Sequence, residues 1–264
     1  VLPTVEVPGG RVEYEDVPGD PALPPLLFLH EGLGSVGLWR GFHQRIAAAT
    51  GCRALAYSRL GHGWSDPPPG PRGPGFMRTE AAEVLPALCA ALDLDRPVLV
   101  GHSDGGSIAL LRAAAGGVRG LVVIAPHVFV EPVGLQGVRA ALDAFTGSDL
   151  RERMGRRHRD PDVTFHGWND MWLAPEFLAW DIRPDLATIT CPVLGVQGTA
   201  DPYGTVAHVE AVRDRARGPV ELLVLDCGHA PHVERPEETT GAVVRSIRAW
   251  AGAPEGAREE RRPR

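Results

Sequence analysis

The chain has no lysine. All 27 basic residues among its 264 are arginine, which excludes a P-loop, whose lysine sits on phosphate, and Schiff-base or pyridoxal-phosphate chemistry, which needs an amine nucleophile. No apolar run approaches the roughly 18 residues of a membrane span, so a soluble protein without a membrane partner is expected. A net charge of −6 with no basic stripe argues against nucleic acid as a partner. Cysteine is sparse. Cys52, Cys89, Cys191 and Cys227 form no C-x-x-C pair and read as buried thiols rather than a disulfide framework. No secretory leader is visible, so a cytoplasmic protein is expected; because the first residue is Val1, a removed leader stays open.

What is present is an alternation. Continuous apolar runs at 26–29, 53–57, 98–100, 121–124, 193–196 and 220–225 read as buried strands. Helix-like stretches at 37–49, 76–92 (interrupted by Pro86), 107–115, 206–217 and 237–250 separate them. Short buried strands alternating with helices predict a mostly parallel sheet covered on both faces. Segments 4–7 and 11–15, joined through Pro8-Gly9-Gly10, predict an antiparallel hairpin at its edge. The rhythm breaks over 128–185, where helical segments at 135–145, 150–159 and 163–173 carry Phe165, Trp168 and Trp172, with Phe177 and Trp180 beyond. An all-helical insertion inside such a series predicts a cap over the sheet, its aromatics divided between packing and a substrate pocket. The expected organisation is a core over 1–127 and 186–252, a helical cap over 128–185, and a disordered tail over 253–264, where Arg and Glu leave little to bury.

The stretch Val98-Leu99-Val100-Gly101-His102-Ser103-Asp104-Gly105-Gly106 carries the chemistry. It lies between a strand and a helix and matches G-x-S-x-G, the pattern of a nucleophile held on a tight strand-to-helix turn. Such a turn needs small residues two places before and two places after the nucleophile. Gly101 and Gly105 meet that need for Ser103. For Asp104 the corresponding flanks are His102 and Gly106, and His102 is too large.

A serine hydroxyl needs a base, and the base needs an orienting group. Asp201, just past the strand at 193–196, is the expected acid, with Glu131 its rival. His229, in the loop after the last strand, is the expected base; His232 lies closer to the final helix and reads as structural. Cys227, His229 and His232 match no common zinc spacing, so neither metal nor cofactor is expected. Gly32 to Gly37 also contains G-x-G-x-x-G after a strand, a pattern compatible with dinucleotide binding. The following strand ends in Ser58-Arg59 rather than in an acid, which leaves only a 2′-phosphate version of that reading.

With these residues in place the chain resembles the α/β-hydrolase superfamily of capped serine esterases, over roughly 25–250. The resemblance rests on His30-Glu31-Gly32, Arg59-Leu60-Gly61-His62-Gly63-Trp64-Ser65-Asp66, the turn at Ser103, Asp201 in its loop, and Gly228-His229-Ala230-Pro231-His232. It implies an α/β-hydrolase fold with the cap inserted after the sixth strand, and a Ser103, Asp201, His229 triad. It also implies an oxyanion hole from the N–H groups of Gly32 (or Leu33) and Asp104. Glu31 stands where many members have glycine; its carboxylate is expected to brace the loop against Arg59 or to face the pocket. Asp104 is expected either to favour its helix N-terminus or to serve as counter-charge for a substrate ammonium. Glu31, Asp104, His127, Trp168 and Trp172 are the substrate-binding candidates.

The implied activity is cofactor-independent hydrolysis of small carboxylic esters or lactones through an acyl-enzyme, by a monomer or homodimer. C–C bond hydrolysis of diketone-type substrates on the same triad is the alternative. A non-catalytic ligand-binding protein on the same scaffold is the distant one.

Overall fold

In a computed structural model, residues 2–252 are described; the tail expected at 253–264 lies outside them. Eight strands form one sheet: β1 (Thr4–Val7), β2 (Gly10–Val17), β3 (Leu26–Leu29), β4 (Ala54–Tyr57), β5 (Val98–His102), β6 (Gly120–Ile124), β7 (Val193–Gly198) and β8 (Val220–Leu225). Their spatial order is β1-β2-β4-β3-β5-β6-β7-β8. β1 and β2 pair antiparallel, β2 joins β4 antiparallel, and every later pairing is parallel. The alternation in the sequence thus becomes the α/β-hydrolase fold.

The period-two rule divides the core in two. Leu26, Phe28, Ala54, Ala56, Val98 and Val100 face the helices Phe42–Thr50 and Pro236–Ala251. Leu27, Leu29, Leu55, Tyr57, Leu99 and Leu121 face the helix Asp104–Ala114 and its neighbours. Strands buried on both sides cannot alternate apolar with polar residues, which explains why β3 to β7 read as unbroken apolar runs.

Two helices differ from the sequence expectation. The stretch 37–49 splits into a 3₁₀ turn, Val36–Trp39, and the helix Phe42–Thr50, because Arg40 and Gly41 take positive φ of 49° and 75°. The stretch 76–92 passes through a π turn at Glu80–Val84, just ahead of Pro86. Proline has no N–H to close an ordinary helical turn, and the wider turn accommodates it.

The strand order positions the site. The chain runs from β3 to β4 on one side and then returns to β5 on the other, so the loops leaving β3 and β5 diverge from adjacent strand ends. Leu29 pairs with Gly101, which brings the His30-Glu31-Gly32 loop beside Ser103. A crevice at such a switch point is where open α/β sheets bind ligands. Between β6 and β7 lie the helices Pro132–Gly147, Leu150–Gly155, Pro161–Leu173 and Arg183–Leu186, inserted after the sixth strand. Among the described residues, no helix is long and apolar enough to cross a membrane.

Candidate active site

Ser103 follows β5 with φ 52° and ψ −120°, a backbone region that non-glycine residues enter only when their surroundings enforce it. The surroundings are close backbones. A Cβ on Gly101 would run into the carbonyl of Gly105, and one on Gly105 would run into the carbonyl of Leu29. The two flanking glycines are therefore steric requirements of the turn. Ser103 N–H donates to the Ile124 carbonyl at 2.9 Å, and Asp104 opens the helix Asp104–Ala114.

Asp201 lies in the loop after β7 and His229 in the loop after β8. Gly198 lets the loops touch, since a Cβ there would collide with the carbonyls of Cys227 and Gly228. Ala200 N–H donates to the Cys227 carbonyl at 3.0 Å. The result is a short contact between functional groups: His229 Nδ1 lies 2.9 and 2.8 Å from the two Asp201 carboxylate oxygens. Tyr203 N–H and the Gln197 side-chain amide also donate to Asp201, each at 2.8 Å. Burial pushes the Asp201 pKa up, but the His229 bond, its charge and the Tyr203 N–H outweigh burial and hold it below the usual carboxylate range.

Ser103 and His229 line one cleft of about 470 Å³, together with Glu31, Gly32, Leu33, His127, Gly134, Val138, Trp168, Trp172 and Tyr203. Sequence-expected residues from five separate segments thus converge there. Gly134, Val138 and Tyr203 were not foreseen. Tyr203 could have been, since it sits two residues past Asp201; the other two depend on how the helix Pro132–Gly147 is rotated over the sheet. Trp168 lies against Gly32 so closely that a Cβ on this glycine would overlap the indole.

The loop after β3 is held from below. His62 Nε2 donates to the Gly32 carbonyl at 2.9 Å, while Arg72 donates to His62 Nδ1 at 2.9 Å, which fixes the His62 tautomer. Fully buried Arg59 donates to the main-chain carbonyls of His30 and Glu31, at 2.6 and 2.8 Å. The expected pairing of the Glu31 carboxylate with Arg59 is therefore corrected. Arg59 braces the loop through its backbone, and the carboxylate turns the other way, with Oε2 3.5 Å from His102 Nδ1. Burial opposes ionisation of Glu31, but His102 and His30 beside it hold its pKa well below the ordinary value.

The Asp104 side chain is not part of the cleft lining. It is 1% exposed and accepts from Trp172 Nε1 at 3.2 Å. Burial raises its pKa, against the pull of Arg59 and Trp172. Glu131 does not face His229. It pairs with His208 at 3.0 Å and accepts from Thr205, which lowers its pKa to about 2. His232 packs against Trp39, Phe42 and His102, and burial pushes its pKa down to about 3.

His127 is closer to the chemistry than the sequence indicated. Its Nε2 lies 3.5 Å from Ser103 Oγ, and its ring meets Trp172, His208 and His229. Burial, with His208 and His229 adding to it, drives its pKa well below the usual histidine value.

Comparison with known proteins agrees with this architecture. Residues 26–242 match the family model described as "Alpha/beta hydrolase family". Over 156 residues the chain is 32% identical to the 2-succinyl-6-hydroxy-2,4-cyclohexadiene-1-carboxylate synthase of Salmonella paratyphi A, covering 58% of this chain and 56% of that protein. Over 102 residues it is 33% identical to an sn-1-specific diacylglycerol lipase of Mus musculus, covering 39% of this chain and 32% of that protein. The chain thus spans about half the length of the synthases it matches, and less of the lipase. The enol-lactonase from Burkholderia xenovorans LB400 aligns with a TM-score of 0.72 at 21% identity, over 92% of this chain and 98% of its own. An esterase from Exiguobacterium antarcticum aligns with a TM-score of 0.73 at 20% identity, over 94% and 99%. At such identities the structural likeness is one of fold.

Proposed function

Because the chain belongs to the alpha/beta hydrolase family, we propose that it is a cofactor-independent serine hydrolase acting on small carboxylic esters or lactones. The observation that carries the reading is the Asp201–His229 contact, with His229 lining one cleft together with Ser103 and the Gly32 loop. Ser103 attacks the carbonyl carbon, and its proton passes to His229 Nε2. Asp201 keeps the proton on His229 Nδ1 and stabilises the imidazolium as it forms. The tetrahedral oxyanion is held by the N–H groups of Gly32 and Asp104, each such donor worth ~3 kcal/mol in the transition state. His229 then protonates the leaving alcohol, and water, activated by the same histidine, releases the acid from Ser103.

The helices over 128–185 act as the cap in this account, with Val138, Trp168 and Trp172 forming an apolar wall for the acyl group. Ester or lactone is preferred to a carboxylated substrate because, among the described residues, no arginine lines the cleft and its one carboxylate is Glu31. The synthases among the relatives, whose product carries a carboxylate by name, favour the opposite reading, a carboxylated substrate. Turnover of p-nitrophenyl esters from acetate to octanoate, in wild type and Ser103→Ala, tests the proposal. Serine-dependent hydrolysis supports it; fluorophosphonate labelling without any ester turnover shifts the reading to diketone substrates.

A further inference from the structure

His102 and Glu31 have no part in the acyl-transfer steps above, yet each directly precedes a residue that does. Glu31 comes before Gly32, the oxyanion donor, and His102 before Ser103, the nucleophile. The third element of the site meets them at this point: His102 Nε2 lies 2.8 Å from the main-chain carbonyl of His229. A carbonyl can only accept, so the proton of this bond sits on His102 Nε2. That leaves Nδ1 turned toward Glu31, whose Oε2 lies 3.5 Å away, a contact that becomes an ion pair only when Nδ1 carries a proton as well. His102 is 3% exposed, and its ring centroid lies 5.0 Å from that of His229 and 4.9 Å from that of His232.

Gly228 N–H and Ala230 N–H both donate to the Glu234 carboxylate, at 2.7 and 3.0 Å. The amides on either side of His229 are therefore fixed by one residue, and its carbonyl by another on a different strand. Glu234 lies only a few residues along the chain, in the short helix Pro231–Glu234. His102 ends β5 in the central sheet and ties the His229 loop to a rigid frame.

We propose that His102, oriented by Glu31, is a positioning residue that holds the His229 main chain in register with Ser103 and the oxyanion loop. The inference rests on the hydrolase reading and adds to it a reason for glutamate at position 31. With glycine there, the Nδ1 side of His102 would lose the carboxylate beside it. The loops bearing donor, nucleophile and base are joined through one imidazole, so displacement of any one is felt by the others.

The test uses the full chain in five forms: wild type, His102→Leu, His102→Gln, Glu31→Gln and the double variant E31Q/H102L. Fluorophosphonate labelling rate reads the activation of Ser103 without a substrate, and kcat and KM on p-nitrophenyl butyrate read turnover. Misplacement of a base by about an ångström costs on the order of 100-fold. His102→Leu is therefore expected to lose about 30- to 100-fold in kcat and in labelling rate, with KM within about threefold. His102→Gln keeps an N–H that reaches the carbonyl and should stay within about fivefold of wild type. Glu31→Gln should lose about five- to tenfold, and the double variant should be no slower than His102→Leu, because Glu31 acts through His102.

A His102→Leu protein that labels at the wild-type rate overturns the proposal while leaving the hydrolase reading intact. So does a folded His102→Gln as slow as His102→Leu, or a double variant whose losses multiply. If His102→Leu does not fold, Glu31→Gln decides alone, and wild-type kcat and labelling in that variant refute the proposal. A wild-type protein that neither labels nor hydrolyses ester removes the hydrolase reading and this inference together.

Discussion

Ser103 Oγ lies 3.5 Å from Nε2 of His127, a second histidine whose ring sits 6.1 Å from that of His229, the partner of the Asp201 carboxylate. The proposed base is His229, which has a carboxylate on its far nitrogen. His127 has none, and burial keeps it neutral and a weak proton acceptor. His229→Ala should lower kcat by about 10³-fold or more, whereas His127→Gln should cost no more than about tenfold. Steady-state kinetics on one ester decides, and the reverse ranking would move the base to His127.

Gly32 and Trp168 offer a test of how the inserted helices meet the sheet. A methyl group at position 32 would overlap the indole, so Gly32→Ala should cost about 1–3 kcal/mol by overpacking and displace the oxyanion donor. The loss should shrink when Trp168→Ala is added, since the two groups collide directly. Thermal melts of the four-member cycle check this; equal losses with and without the indole would contradict the contact.

Six buried histidines set the acid limit of the fold. His30, His43, His62, His127, His158 and His232 all have lowered pKa values, with burial the first cause in each. Below pH ~6.5 the unfolded chain binds protons that these folded rings refuse, so stability falls as pH drops. His232, held at about 3, contributes a loss of about 1.4 kcal/mol for each pH unit below ~6.5 until its folded value is reached. Asp104 and Glu80, whose pKa values are raised, work in the opposite direction but are fewer. Tm should drop by at least about 3 °C between pH 7.5 and 5.5; a flat or rising Tm would contradict neutral burial.

Charge in the cleft predicts substrate preference. A p-nitrophenyl butyrate should be turned over at least about tenfold faster, as kcat/KM, than the monosuccinate ester, whose carboxylate would enter beside Glu31 without a cation to meet it. Preference for the succinate would point to a cation outside the lining described above.

Backbone constraints left clear marks in the sequence; side-chain directions did not. Gly101 and Gly105 were legible as a nucleophile turn because only glycine fits against the carbonyls of Gly105 and Leu29. The apolar strands were legible because burial on both faces admits little else. The partner of Glu31 was not, since a loop beyond a strand end can send its side chain toward either Arg59 or His102. Arg59 takes backbone carbonyls instead, and no residue pattern announces that. Likewise Asp104 was legible as the residue after the nucleophile. Its capture by Trp172, 68 positions away, depends on how the inserted helix Pro161–Leu173 docks.

The central claim is that Ser103 is an activated nucleophile, and the most direct measurement is the rate of fluorophosphonate labelling, located by peptide mass analysis, in wild type and Ser103→Ala. The account predicts rapid labelling of wild type, confined to Ser103, and none in a Ser103→Ala protein with an unchanged melt. Labelling at another residue, or equal labelling of the two proteins, would contradict it.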